Sequence, residues 1–286
     1  MGSLSRSLPR PLSREATVAT RAAERGAEVV RGAGLGGATG LRGKGLPGDY
    51  VSAVDLDAER AIGELLADEG GGVPMHGEES GGAGVSDAWV VDPLDGTTNF
   101  AHGFMAVGVS VALVRDGKPV AGAVCAPFLG ETWVAGRGEG AWLIEPAAAA
   151  PARLGPETEG SAPVRLRASD RSVERAVVAT GFPFRRKDLL ATRYLPVFEG
   201  ALARFEDLRR PGAAALDLAW VAAGVFDGFF ELALAPWDVA AGGLLIEEAG
   251  GVVTDWDGGD GWLAGDILAG GAAVHGELLG LAARVS

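Results

Sequence analysis

The sequence predicts a two-part α/β fold: a mixed α+β lobe around an antiparallel sheet, then a lobe in which helices alternate with short strands. Apolar residues alternate in paired runs between residues 106 and 144, the signature of half-buried strands joined by turns. From residue 164 onward, short apolar runs instead alternate with stretches of helical period. Between them, Glu145 to Pro163 is rich in proline and carries the run Ala147 to Ala150, which reads as a surface insertion or lobe boundary. The expected division is 1–150 for the N-terminal lobe and 160–286 for the C-terminal lobe, working as one catalytic unit.

Ala16 to Val30 has the apolar spacing of an amphipathic helix, and the glycine-studded Gly32 to Gly48, which contains Lys44, reads as a mobile loop. Ser52 to Asp68 is a second helical stretch, with Asp55 and Asp57 near the end where carboxylates complement the helix dipole. Trp89 to Val91 is a short strand running straight into Asp92-Pro93-Leu94-Asp95-Gly96-Thr97-Thr98. Ala106 to Val114 and Val120 to Ala126 flank Arg115-Asp116-Gly117-Lys118, a hairpin signal, and Glu131 to Ala135 with Ala141 to Ile144 form another pair. In the second lobe, Val164 to Leu166, Ala176 to Ala179 and Phe229 to Leu232 read as strands. Leu189 to Ala203, Ala213 to Val225 behind Gly212, and Asp238 to Ala249 stopped by Gly250 read as helices.

Composition narrows the function. A formal charge of −13 argues against nucleic-acid binding, which rests on basic patches that displace counterions. No apolar run reaches the roughly 18 residues of a membrane helix, so a soluble protein is expected. The lone Cys125 excludes an internal disulfide framework and suits a reducing cytoplasm. Met1 to Arg14, rich in Ser and Arg, reads as a frayed terminus because no apolar stretch follows it.

The chemistry sits where the strand ending at Val91 meets two acids, a stiffening proline and a glycine that lets the backbone approach an anion. Gly77-Glu78-Glu79-Ser80 lies upstream and Trp237-Asp238-Val239-Ala240-Ala241-Gly242 far downstream. Taken singly, each has a plain reading: solvated turn charges at Glu78 and Glu79, and helix caps at Asp55 and Asp238. Gathered in one pocket, carboxylates about 4 Å apart would repel by roughly 4 kcal/mol per pair at an effective dielectric near 20. Such a cluster needs protonation or countercharge. Divalent cations supply the latter, and oxygen-only donors favour Mg²⁺ over Zn²⁺.

These three motifs, in this order, resemble the inositol monophosphatase family over about Lys44 to Gly270. The resemblance implies a layered α-β-α-β-α sandwich of the kind shared with fructose-1,6-bisphosphatase, and a Mg²⁺-dependent phosphatase with two or three ions per site. By that resemblance Glu78, Asp92 and the Leu94 carbonyl hold one ion, and Asp92, Asp95 and Asp238 a second. It places the Gly96 and Thr97 amides on phosphoryl oxygens, and gives Thr97 and Asp55, with help from Glu78, the task of positioning and deprotonating water. Lys44 matches the family's loop lysine, and a solvated charge is its competing reading.

Gly212, Ala213 and Ala214 resemble the family's sugar-binding segment, and Glu231 its alcohol-binding acid. Ala213 departs from the Ser or Thr of close relatives, so only backbone contact is left there, and Glu231 reads equally as a sheet-edge charge. The implied substrate is myo-inositol monophosphate or a similar small polyol phosphate, although enzymes for fructose bisphosphate, histidinol phosphate and adenosine 3′,5′-bisphosphate share the metal motifs. Ala179 to Arg185 and Leu208 to Glu231 look most like the bacterial inositol monophosphatase branch. The resemblance also implies lithium sensitivity and a homodimer.

Three alternatives compete with this reading. A regulatory protein-binding module would use Arg209 and Arg210 at a partner surface. A covalent aspartyl-phosphate enzyme separates its two acids by one residue, whereas Pro93 and Leu94 intervene here. A Ser-His-Asp machine finds only His76, His102 and His275, and no nucleophile elbow.

Overall fold

The structure, a computed structural model, describes residues 12–37, 41–43, 50–82, 84–144, 163–183 and 186–285. It stacks five layers. Helix α1 (Arg14–Ala33) opens at Ser13, whose hydroxyl accepts the Ala16 N–H at 3.2 Å, and helix α2 (Ala53–Glu69) opens at Ser52. Between them a small antiparallel pair, β1 (Arg42–Gly43) and β2 (Tyr50–Val51), crosses the glycine-rich segment.

A seven-stranded sheet follows in chain order: β3 (Met75–Gly77), β4 (Ala88–Asp95), β5 (Gly108–Arg115), β6 (Lys118–Ala126), β7 (Glu131–Gly136), β8 (Gly140–Ile144) and β9 (Val164–Arg165). All neighbours run antiparallel except β3 and β4. A short helix, α3 (Thr97–Ala101), follows β4.

The second sheet contains β10 (Val177–Thr180), β11 (Asp207–Arg209), β12 (Gly228–Glu231), β13 (Val252–Thr254) and β14 (Ile267–Gly270), ordered β11-β10-β12-β14-β13. Among the described residues, helices α4 (Leu195–Arg204), α5 (Ala214–Ala222), α6 (Pro236–Glu248) and α7 (Ala272–Ala282) belong to the second half, with a π-helical turn, Leu190–Tyr194, leading into α4.

Side-chain alternation explains the layering. Along β5, Val109, Val111 and Leu113 face a core shared with α1 and α2, while Ala112 and Val114 face the core shared with α5 and α6. In β12, Phe229 joins that same middle core, and Phe230 turns to an outer core with α4 and α7. Each sheet is therefore covered on both faces, giving the α-β-α-β-α sandwich. The middle core mixes residues of both halves, from Ala88 to Ala269.

Several elements differ from the sequence reading. Strand β4 does not stop at Val91: it carries on through Asp92 to Asp95, because a register shift against β5 lets Pro93 and Leu94 bulge. Helix α5 ends at Ala222, short of Val225, where Gly224 takes a φ of +66°. The supposed loop at Gly32 to Gly48 begins inside α1 and includes β1; Lys44 and residues 45–49 lie outside the described residues, as do 38–40. So do residues 145–162 of the low-complexity patch, Phe184 and Arg185, and Met1 to residue 11. No helix among the described residues is long and apolar enough to cross a membrane.

Candidate active site

Asp92 ends the regular pairing of β4 opposite Ser110, and Asp95 resumes it opposite Gly108, so the bulge sets two carboxylates at one strand end. The Leu94 N–H donates to Asp92 Oδ1 at 3.0 Å, which locks the bend from inside. Gly96 then adopts a left-handed conformation (φ +88°) that starts α3; a Cβ there would meet the Ala106 carbonyl at 2.9 Å, so a side chain is excluded by space as well as by φ. Asn99 secures this helix, its Nδ2 donating to the carbonyls of Ala106 at 2.8 Å and Pro211 at 2.9 Å.

Asp238 arrives from the other half. Pro236 opens α6, and Asp238 stands at the third helical position with Oδ2 accepting the Ala235 N–H at 2.7 Å. The helix-cap reading is thus correct in kind but not in place, since Ala235 is the capping residue. Ser110 donates its hydroxyl to the Trp237 carbonyl at 3.0 Å, tying β5 to this helix start. Helix α5 contributes too: the Ala215 N–H donates to Asp95 Oδ2 at 2.7 Å.

The carboxylates of Asp92, Asp95 and Asp238 come within 4.8 Å of one another, and all three side chains are buried. Burial pushes the Asp92 carboxyl well above the usual range, reinforced by the charges of Glu78, Asp95 and Asp238. Burial likewise lifts Asp95 to about 7, with Asp238 the chief neighbouring charge. Crowded, desolvated, oxygen-only donors of this kind fit a hard divalent cation, which removes the repulsion that protonation would otherwise have to relieve.

A cavity of about 360 Å³ brings together Glu78, Asp92, Leu94, Asp95, Gly96, Thr97, Gly212, Ala214, Glu231 and Asp238. Asp55 lies behind it. Its Oδ1 accepts the Thr97 hydroxyl at 2.9 Å while Oδ2 accepts the Ser52 N–H at 2.9 Å, so capping α2 and holding Thr97 are both true of it. Burial raises its carboxyl, against the hydrogen bonds from Ser52 and Thr97 that lower it. Ala213 is fully buried against Gly96 and does not line the cavity.

Glu231 is not at a sheet edge: β12 is the middle strand of its sheet, and Glu231 pairs with Ile267 of β14. Its carboxylate lies 2.1 Å from where a Cβ on Gly181 would be, so a side chain at 181 would displace it. The sequence reading also passed over Phe182 and Arg210 as cavity residues, where the guanidinium lies 5.3 Å from the ring centre. Asp217, fully buried and raised well above the usual range by burial and then by Asp95, escaped notice as well. One signal for it was present, an acid between Leu216 and Leu218 in an otherwise apolar helix.

With this geometry in place, the chain's likenesses acquire meaning. Residues 12–285 match the inositol monophosphatase family. The putative Nus factor SuhB of Neisseria meningitidis serogroup B is 41% identical over 239 residues, 81% of this chain and 83% of that protein. The crystal structure of extragenic suppressor protein suhB from Bartonella henselae superposes with a TM-score of 0.80 at 36% identity, covering 94% of this chain and 98% of that one. An IMPase of Thermotoga maritima does so with a TM-score of 0.77 at 27% identity, covering 93% and 95%. Five shared layers, acids gathered from distant segments and a match along nearly the whole length lead to one conclusion: the chain belongs to the inositol monophosphatase family.

Proposed function

We propose that this chain is a Mg²⁺-dependent phosphatase acting on phosphate monoesters of small polyols, with myo-inositol monophosphate its leading substrate. The observation that carries the reading is the meeting of Asp92, Asp95 and Asp238 beside Glu78 in one cavity large enough for a sugar-sized ester. Glu78, Asp92 and the Leu94 carbonyl would hold one ion, and Asp92, Asp95 and Asp238 a second. Bound Mg²⁺ supplies countercharge and Lewis acidity to a phosphoryl group.

The chain does the rest. Thr97 orients the attacking water and passes its proton toward Asp55, to which its hydroxyl already donates at 2.9 Å. Glu78, facing the same cavity, is a second acceptor. The Gly96 and Thr97 amides receive phosphoryl oxygens, and the Gly212 and Ala214 backbone with the Glu231 carboxylate receives the hydroxyls of the leaving alcohol. Because Asp92 and Asp95 belong to the first half and Asp238 to the second, 1–150 and 160–286 operate as one catalytic unit. A cytoplasmic homodimer accompanies this reading.

Phosphate release should be compared for inositol 1-phosphate, fructose 1,6-bisphosphate, histidinol phosphate and adenosine 3′,5′-bisphosphate, with Mg²⁺ varied and lithium added. The highest kcat/KM is expected for inositol 1-phosphate, with inhibition by lithium. A higher value for another ester moves the substrate within the class, and no release from any ester at saturating Mg²⁺ overturns the reading. A second reading rests on the name Nus factor carried by a relative 41% identical to this chain. On it the scaffold would serve as a Nus-factor-like binding module, and stable partner binding by a chain without phosphatase activity would favour it.

A further inference from the structure

We propose that Glu59 is a positioning residue for the metal centre, one that fixes the turn bearing Glu78 and thereby sets the affinity for the cation Glu78 would hold. The inference rests on the metal-dependent reading above. Glu59 lies on α2 one turn beyond Asp55 and is only 5% exposed. It does not line the cavity.

Both of its oxygens are committed to the segment that carries Glu78. Oε2 accepts the Glu79 N–H and Oε1 the Ser80 N–H, each at 2.9 Å. Bonds from backbone amides to a carboxylate are stronger than those to a neutral acceptor, so this is a firm clamp. The carboxylate is pressed so close to Gly77 that a Cβ there would lie 2.4 Å from Oε2, which accounts for a glycine just before Glu78. The same turn is closed by reciprocal bonds between Gly77 and Gly81 at 3.1 and 2.9 Å, and the Glu78 N–H reaches the Val91 carbonyl at 3.1 Å.

Residues four apart on a helix share a face, and α2 uses this spacing to address two parts of the site. Asp55 holds the Thr97 hydroxyl, and Glu59 holds the Glu78 turn. Glu78 acts electrostatically on Asp92, so its placement bears on the acid cluster. A single rigid helix thus sets the spacing between the water-orienting hydroxyl and a cation-holding carboxylate.

The test is Mg²⁺ uptake by the whole chain, measured by titration calorimetry on Glu59→Gln and Glu59→Asp beside the parent. Glu59→Gln keeps the shape but turns an amide NH₂ toward a backbone N–H. Glu59→Asp keeps the charge but withdraws it by one methylene. Both should weaken uptake about 10- to 100-fold, the usual loss when a group supporting a ligand is removed. Raised Mg²⁺ should restore kcat, and KM for the ester at saturating Mg²⁺ should stay near the parent value. Adding Glu78→Gln to Glu59→Gln should cost less than the two single losses combined, because both act through one ligand. Parent-like Mg²⁺ affinity in either folded variant overturns the assignment, and parent-like affinity in Glu59→Asp alone reduces it to a charge effect and overturns it equally. If the parent itself takes up no Mg²⁺, the metal reading fails, an outcome distinct from unchanged affinity in the variants.

Discussion

Asp95 shows how much one side chain is asked to do. Its carboxylate belongs to the crowded acid group and also accepts the Ala215 N–H, so it joins strand β4 to helix α5. Asp95→Asn keeps an acceptor for that amide and removes one charge from the cluster. The fold should hold, with a thermal midpoint at or above the parent's without Mg²⁺, while phosphate release falls by more than about 100-fold, beyond the loss typical of groups that merely support a ligand. Unreduced release would exclude Asp95 as a ligand. Thr97→Val, which breaks the link between Asp55 and the Leu94 carbonyl, should lower kcat about 10²- to 10⁴-fold and leave Mg²⁺ uptake unchanged. At this scale the acids were legible because each sits in a short motif with its own local cue, such as the strand before Asp92 or the proline between Asp92 and Asp95. Ala213's burial against Gly96 and the failure of the sheet-edge reading of Glu231 were not legible, because both are settled by partners far away in sequence.

Elements with strong period were legible, and those without it were not. The β5–β6 hairpin was read from Asp116-Gly117, whose positive φ values of 49° and 72° are those a tight hairpin turn demands. Strands β11 and β13, three residues each, are too short to show alternation, and α7 is apolar on most sides, so neither offered a pattern. The packing of α5 on α6 depends on absent side chains: a Cβ on Gly242 would stand 2.4 Å from Leu218 Cβ, and one on Gly243 would strike the Trp262 ring at 2.4 Å. Because the Leu218 contact is at Cβ, no rotamer change relieves it. Gly242→Ala should force the helices apart and destabilise the fold by about 1–3 kcal/mol, seen as a lower thermal midpoint. Since these helices carry Asp238 and the amide that holds Asp95, Mg²⁺ uptake should weaken with it; a variant as stable as the parent would show that the crossing tolerates the extra carbon.

The whole molecule trades stability against the acid cluster. Asp95, lifted to about 7 from an ordinary value of 3.8, keeps its proton in the folded chain at pH values where the unfolded chain has lost it. The folded state therefore binds more protons between those two values, and cation-free stability should fall as pH climbs through that window and level off above it. Mg²⁺ should add more to the thermal midpoint at about pH 8 than at about pH 5, because at the lower pH it competes with protons already in place. A cation-free midpoint that rises from about pH 5 to about pH 8 would contradict this. At this scale the sandwich was legible through the family resemblance and not through periodicity, because a two-lobe reading assigns each half its own core, whereas α5 and α6 pack against both sheets. The sandwiching of those helices has a cost and a benefit. On the proposed ligand sets, Glu78, Asp92 and the Leu94 carbonyl lie in one stretch, whereas the second set joins Asp92 and Asp95 to Asp238 of the other, so a fragment expressed alone would keep at most half of the metal centre, and ester cleavage would wait until both sheets have closed on the helices between them.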